Sequence, residues 1–206
     1  MTDYNITELY ITDKYLTTLP ADISSYTNLI KLDCSHNKIN TLDNLPLTLE
    51  MLECNHNKIN TLDNLPLALK ILNCSKNNIT CLDNLPPTLE ILICSKNNIT
   101  CLDNLPITLK KLYCSFNKIN TLNNLPLTLE TLSCFQNYIT LLDNLPPTLT
   151  YLNCFANKIN VLDNLPIALK FLHYNIDKLI HYPSNFKIIT PNISGLHSYR
   201  LQYIQP

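Results

Sequence analysis

Residues 52–80 read LECNHNKINTLDNLPLALKILNCSKNNIT, and the pattern that opens at Leu52 opens again at Leu72. Counted from the recurring leucines Leu29, Leu49, Leu69, Leu89, Leu109, Leu129 and Leu149, seven units of twenty residues fill 29–168 without an insertion. Each has the form L-x-x-L-x-C-x-x-N-x-I-x-x-L-[DN]-N-L-P-x-[TA]. A longer unit of 23 residues precedes them from Ile6, and a degraded one follows from Leu169. A fixed period of this length marks a solenoid, where each unit can bury its apolar face only against its neighbours.

The positions within a unit have separable tasks. Leu52-Glu53-Cys54 alternates inward, outward, inward, which is the period of a short strand. Stacked units place such strands about 4.8 Å apart in a parallel sheet, and the remainder of each unit supplies the crossover that parallel strands need. Cys34, Cys54, Cys74, Cys94, Cys114, Cys134 and Cys154 occupy the second inward slot. A buried free cysteine behaves as a small hydrophobe. Zinc needs four converging ligands, and side chains projecting in parallel seldom meet the disulfide torsion. The cysteine row therefore reads as core packing.

Asn37, Asn57, Asn77, Asn97, Asn117, Asn137 and Asn157 follow the strands, where the chain turns inward. A buried amide persists only when hydrogen-bonded, so these asparagines are expected to form a ladder to backbone groups of their own and the neighbouring turn. The return limb LDNLP is too short for a helix. Asp43, Asp63, Asp83 and Asp103 are expected to serve backbone turns there rather than one another. The second position reads Glu50, Lys70, Glu90, Lys110, Glu130, Thr150, Lys170, so opposite charges fall side by side.

L-x-x-L-x-C-x-x-N-x-I resembles the leucine-rich repeat, over roughly residues 6–180. The short unit with Leu-Pro on its return limb is similar to the leucine-rich repeats of secreted bacterial effectors. The Asn-, Ile- and Lys-rich, cysteine-bearing version is similar to repeat proteins of giant viruses of the mimivirus type. The resemblance implies a right-handed, α/β-type horseshoe solenoid: a concave parallel β-sheet, and a convex side of short extended or turn segments with little helix. It also implies protein recognition.

Composition removes several functions. The chain of 206 residues has a formal net charge of −1, one arginine (Arg200) and one glycine (Gly195). Nothing in that balance points to nucleic acid, and Gly-rich phosphate loops are excluded. No basic n-region with an apolar run opens the sequence, and no stretch is apolar enough to span a membrane. Nine cysteines without a secretory signal suggest a reducing, intracellular setting, which is the cytoplasm, or the host's if the chain is viral. A nucleophile needs an oriented base beside it, and none of His36, His56, His173, His181 and His197 shares a motif with a cysteine. The reading is non-enzymatic, with no cofactor, no metal and no membrane. Cys81 and Cys101 replace the Thr41, Thr61 and Thr121 type of residue, either as tolerated changes or as a redox-linked pair.

Outward slots hold Lys31, Asp33, His36, Glu53, His56, Asn73, Lys76 and Lys96 toward the N-terminus. Further on they hold Tyr113, Phe116, Phe135, Tyr151, Phe155 and Phe171, flanked by Tyr138. Contiguous exposed aromatics mark interaction sites. Alternatively, the C-terminal cap folds back over some of them. A single solenoid domain is expected over 1–206: a first repeat with the N-terminal cap in 1–28, seven repeats in 29–168, and a degenerate repeat with the C-terminal cap in 169–206. The first unit is expected to shield itself with Thr7 and Glu8. The function expected is a monomeric scaffold binding a protein on its concave face, possessing a viral or effector-type role against host proteins. Two alternatives are the recognition part of a larger ligase-type enzymatic system and a structural assembly component.

Overall fold

The computed structural model describes residues 4–174 and two further strands, Phe186–Ile189 and Arg200–Tyr203. Nine three-residue strands form one parallel sheet in chain order. They are β1 (Glu8–Tyr10), β2 (Lys31–Asp33), β3 (Met51–Glu53), β4 (Ile71–Asn73), β5 (Ile91–Ile93), β6 (Lys111–Tyr113), β7 (Thr131–Ser133), β8 (Tyr151–Asn153) and β9 (Phe171–His173). From β2 to β9 the register advances by twenty residues at each step, as in Leu52 opposite Leu72 and Leu92 opposite Leu112. Sequence period and sheet register are the same quantity, because every unit makes one full coil. β10 (Phe186–Ile189) and β11 (Arg200–Tyr203) pair antiparallel, and β11 lies beside β9. The remainder of the expected C-terminal cap lies outside the described residues.

From β2 to β9 the central leucine of each strand is buried, and its neighbours are more exposed except Ser133 in β7. The core is a set of stacked rows: the leucines at the unit start and strand centre, the cysteine, the following isoleucine and the return-limb leucines. Among the described residues the one helical segment is the 3-10 turn Ile23–Ser25. It lies in the 23-residue first unit, whose extra length it takes up. Elsewhere the return limbs are turns and extended chain, closed by a hydrogen bond from each unit-start leucine to the proline three residues before it, as from Leu109 N to Pro106 O at 3.0 Å.

Two sharp bends recur in every unit without glycine. The residue before the ladder asparagine and the second asparagine-type residue of LDNLP both take left-handed backbone, from His36 (φ 55°) and Asn44 (φ 60°) to Ala156 (φ 54°) and Asn164 (φ 57°). Asparagine tolerates that region better than most residues, which explains Asn at the second bend. At the first bend His, Lys, Phe, Gln and Ala all occur, so tertiary bonding holds it there: Lys96 N donates to Ser115 O of the next turn at 2.8 Å.

The N-terminal end differs from the expectation. Thr7 and Glu8 are exposed, but they do not seal the first layer, because Ile6, Leu9, Ile11, Leu16 and Leu19 are only half-buried. β1 ends the sheet, so among the described residues those side chains have a neighbouring coil on one side. Tyr4 covers part of the end by packing edge-on against Tyr26, with ring centroids 5.0 Å apart.

Candidate functional site

Behind the sheet face lies its support. Asn97 Nδ2 donates to the carbonyls of Cys94, in its own turn, and Cys74, in the preceding one, each at 3.0 Å. Its Oδ1 accepts from Ile79 N, also at 3.0 Å. Asn57, Asn77, Asn117, Asn137 and Asn157 repeat the two carbonyl contacts. Asn37, at the end of the row, turns to Lys14 N, Leu16 N and Ile11 O of the first unit. Each amide thus holds at least three backbone groups at the bend.

The seven row cysteines are free and buried. Burial pushes the thiols of Cys34, Cys74, Cys114 and Cys154 up to about 12, and those of Cys54, Cys94 and Cys134 well above the ordinary range. Such thiols carry almost no thiolate near neutral pH and make poor nucleophiles. Among the described residues no cluster of histidine, cysteine or carboxylate side chains has the arrangement to hold a metal ion. Cys81 and Cys101 are half-exposed and free. A hydrogen bond to the Asp83 side chain raises the Cys81 thiol.

Two polar rows on the return limbs were not apparent from the sequence. Thr88, Thr108, Thr128 and Thr148 each place one hydroxyl donor between two carbonyls of the preceding turn, as Thr128 does with Ile107 at 2.6 Å and Leu109 at 3.0 Å. The recurring [TA] at the unit end was the available signal. The aspartates also depart from expectation. Asp63, Asp83 and Asp103 accept from the side-chain amides of Asn84, Asn104 and Asn124, one turn on, at 3.2, 3.4 and 3.2 Å. The left-handed asparagine beside each aspartate brings the next coil's amide within reach, so the carboxylates bond between turns. Of the charge row, Lys70 pairs with Glu50 and Lys110 with Glu90, both at 2.8 Å and both exposed.

The outward aromatics divide into two groups. Tyr113, Tyr151 and Phe171 stand on strands β6, β8 and β9, whereas Phe116, Phe135 and Phe155 stand in the turns that follow strands. Phe116 and Phe135 meet edge-on at 4.8 Å. Tyr151 leans against Phe171 at 6.2 Å and His173 at 5.8 Å. Ser133 stands between the two groups in register, opposite both Tyr113 and Asn153. Most of these rings are half-buried, and Phe171 is 36% exposed. Toward the N-terminus the rings of His36 and His56 stack at 4.0 Å, and Asn73 donates to Glu53 at 2.7 Å.

Solved structures share this architecture. The functional domain of InlJ from Listeria monocytogenes, described as including a cysteine ladder, is 33% identical over 81% of this chain and 43% of that one, with a TM-score of 0.59. The leucine-rich-repeat domain of a Shigella effector is 27% identical over 83% of this chain and 69% of that one, with a TM-score of 0.62. The chain folds as a leucine-rich-repeat solenoid. TLR13, solved in complex with ssRNA13, is also similar, at 26% identity over 81% of this chain and 27% of that one and a TM-score of 0.62. No protein-family profile and no curated protein sequence matches the chain. The solenoid spans less than half the length of the InlJ and TLR13 chains. No helix among its described residues is long and apolar enough to cross a membrane.

Proposed function

We propose that this leucine-rich-repeat solenoid is a non-enzymatic scaffold that binds a partner protein on its concave sheet face. One observation carries the reading: the outward residue that ends each strand changes from Asp33, Glu53 and Asn73 in β2–β4 to Ile93 and Tyr113 in β5 and β6, and the one that begins it becomes Tyr151 and Phe171 in β8 and β9. The core rows in these units are complete without those rings, so packing alone gives no reason for them. Aromatic side chains dominate the energetic centres of protein interfaces. The likeness to a Shigella effector domain supports an effector-type role on host proteins in the host cytoplasm. An origin in a giant virus rests on the sequence likeness alone.

The test compares proteins captured by cross-linking to the wild-type chain and to the double variant Tyr151→Ala, Phe155→Ala. Selective loss of a captured protein from the variant, with the melting temperature little changed, supports the reading. A captured set that ignores the aromatic pair but responds to His36→Ala with Glu53→Ala places the site at the other end. Cooperative unfolding of the aromatic variant assigns those rings to the fold instead.

A further inference from the structure

The net charge of −1 conceals a sharp separation. In the seven repeats, no aspartate or glutamate occurs between the row cysteine and the leucine eight residues later. That segment is the turn leaving the sheet. It carries six lysines, from Lys38 to Lys158, and the stacked pair His36 and His56. All six lysines are exposed, and none takes part in the ion pairs at Glu50 and Glu90. Because every coil advances by one sheet spacing of about 4.8 Å, these lysines line one basic edge of the stack, interrupted at the unit 129–148, which carries none. His56 senses it: burial lowers its imidazole first, and then His36, Lys76 and Lys96 lower it further.

The same edge carries a recess whose lining mixes the Phe116 and Tyr138 rings and Ala156 with polar side chains. At the left-handed bend, side chains shrink from Phe116 through Gln136 to Ala156, which opens a groove of about 520 Å³ lined also by Tyr138 and Lys158. Its aromatic walls are each faced by a cation: Lys96 Nζ lies 4.9 Å from the Phe116 ring centre, and Lys158 Nζ lies 5.0 Å from that of Tyr138. On the strands alongside, from β4 to β9, there is no carboxylate to oppose an anion.

We propose that this turn edge, from Lys76 to Lys158, docks an acidic segment of a partner protein, with one apolar side chain of that segment seated over Ala156. The inference rests on the scaffold reading above and names the chemistry of its partner. Carboxylates answer Lys76, Lys96, Lys118 and Lys158, while the groove takes the side chain that fixes register. A nucleic acid fits less well. Its uniform charge gains no long-range attraction from a chain of net charge −1, and the edge lacks arginine, the bidentate partner of phosphate. A short acidic segment needs only charges within a Debye length of about 8–10 Å.

The test uses fluorescence anisotropy at low salt with three probes of matched length: a Glu/Asp-rich peptide with one central leucine, the same peptide with Gln/Asn in place of the acids, and oligouridylate. The acidic peptide should bind, should weaken about tenfold or more on raising salt to a physiological level, and should be lost in Lys76→Glu, Lys96→Glu, Lys118→Glu, Lys158→Glu. Ala156→Phe should weaken it separately by filling the groove. That variant keeps the fold, because Phe116 already occupies the same bend. Unchanged melting of both variants shows that binding, not folding, was altered. Equal binding of the neutral peptide, tighter binding of oligouridylate, no binding of the acidic peptide, or indifference to the charge reversals overturns the inference. A partner captured through Tyr151 and Phe155 that ignores the reversals leaves the scaffold reading standing and removes this one alone.

Discussion

The side-chain amide of Asn97 joins two successive turns by donating to the carbonyl of Cys74 as well as to that of Cys94, both at 3.0 Å. A single asparagine is therefore a bond between repeats as well as a brace within one. The row works only when the copies are stacked, since two of the three partners of Asn97, Cys74 O and Ile79 N, belong to the coil before it.

Asn97→Ala should lower stability by about 1–3 kcal/mol, because it leaves Ile79 N buried without its partner and removes one of the two amide donors at Cys74 O and Cys94 O, which keep Asn77 and Asn117. Asn120→Ala, at an exposed site, should stay within about 0.5 kcal/mol. Urea melts of the two variants provide the comparison. Equal effects would show that the row contributes no more than surface polarity.

The solenoid should weaken in alkali. Burial raises the Cys114 thiol from its ordinary 9.0 to about 12. Above pH 9 an unfolded chain releases that proton while the folded chain retains it, so stability falls as pH rises through this window. Cys114→Ala should remove about 1.4 kcal/mol per pH unit from the alkaline slope. Parallel slopes for variant and wild type, measured by urea melts across the window, would contradict the burial of the thiol.

Thiol labelling of the native protein should proceed first at Cys81 and Cys101, the two half-exposed cysteines. The seven row cysteines should label only after unfolding, as buried thiols stay protonated and inaccessible. Mass spectrometry after brief alkylation reads the order directly. Early labelling of Cys94 would sink this prediction.

Ala68→Thr should stabilise the protein by about 0.5–1.5 kcal/mol, the net worth of a typical hydrogen bond. Thr128 places its hydroxyl between two carbonyls of the preceding turn from the equivalent position, and alanine interrupts that row at 68. Thermal melts suffice, with Thr128→Val as the reverse change. A neutral result in both would mean that water serves those carbonyls equally well.

Replacing Lys76 and Lys96 by glutamine should raise the pKa of His56 toward the usual imidazole value. Burial is the largest cause of its depression, so the return will be partial, with the two lysines and His36 accounting for the rest. An NMR titration of the ring protons measures it. No movement would mean that the basic edge does not reach across successive turns.

Much of this molecule is local arithmetic that one strand of text can show. The twenty-residue period fixed the register of β2 to β9, because each coil must return its strand beside the last. The alternation in Leu52-Glu53-Cys54 assigned Cys54 to the interior, and the recurrence of Asn57 marked a bend needing a side-chain partner. The aromatic residues at outward slots could also be named from the repeat, though not their division into Phe116 with Phe135 and Tyr151 with Phe171.

What the tertiary structure alone decided involves neighbours in adjacent coils. The sequence cannot show that Asp63 receives the amide of Asn84 or that the Thr128 hydroxyl sits between two carbonyls of the previous turn, since those choices depend on side-chain directions across the stack. Nor can a net charge of −1 reveal a basic edge, because a sum over the chain discards position. Coiling does the sorting: residues twenty apart come to about 4.8 Å apart, and a sparse scatter of lysines becomes a line. Composition and period are properties of the chain, whereas a surface exists only after the coils have stacked.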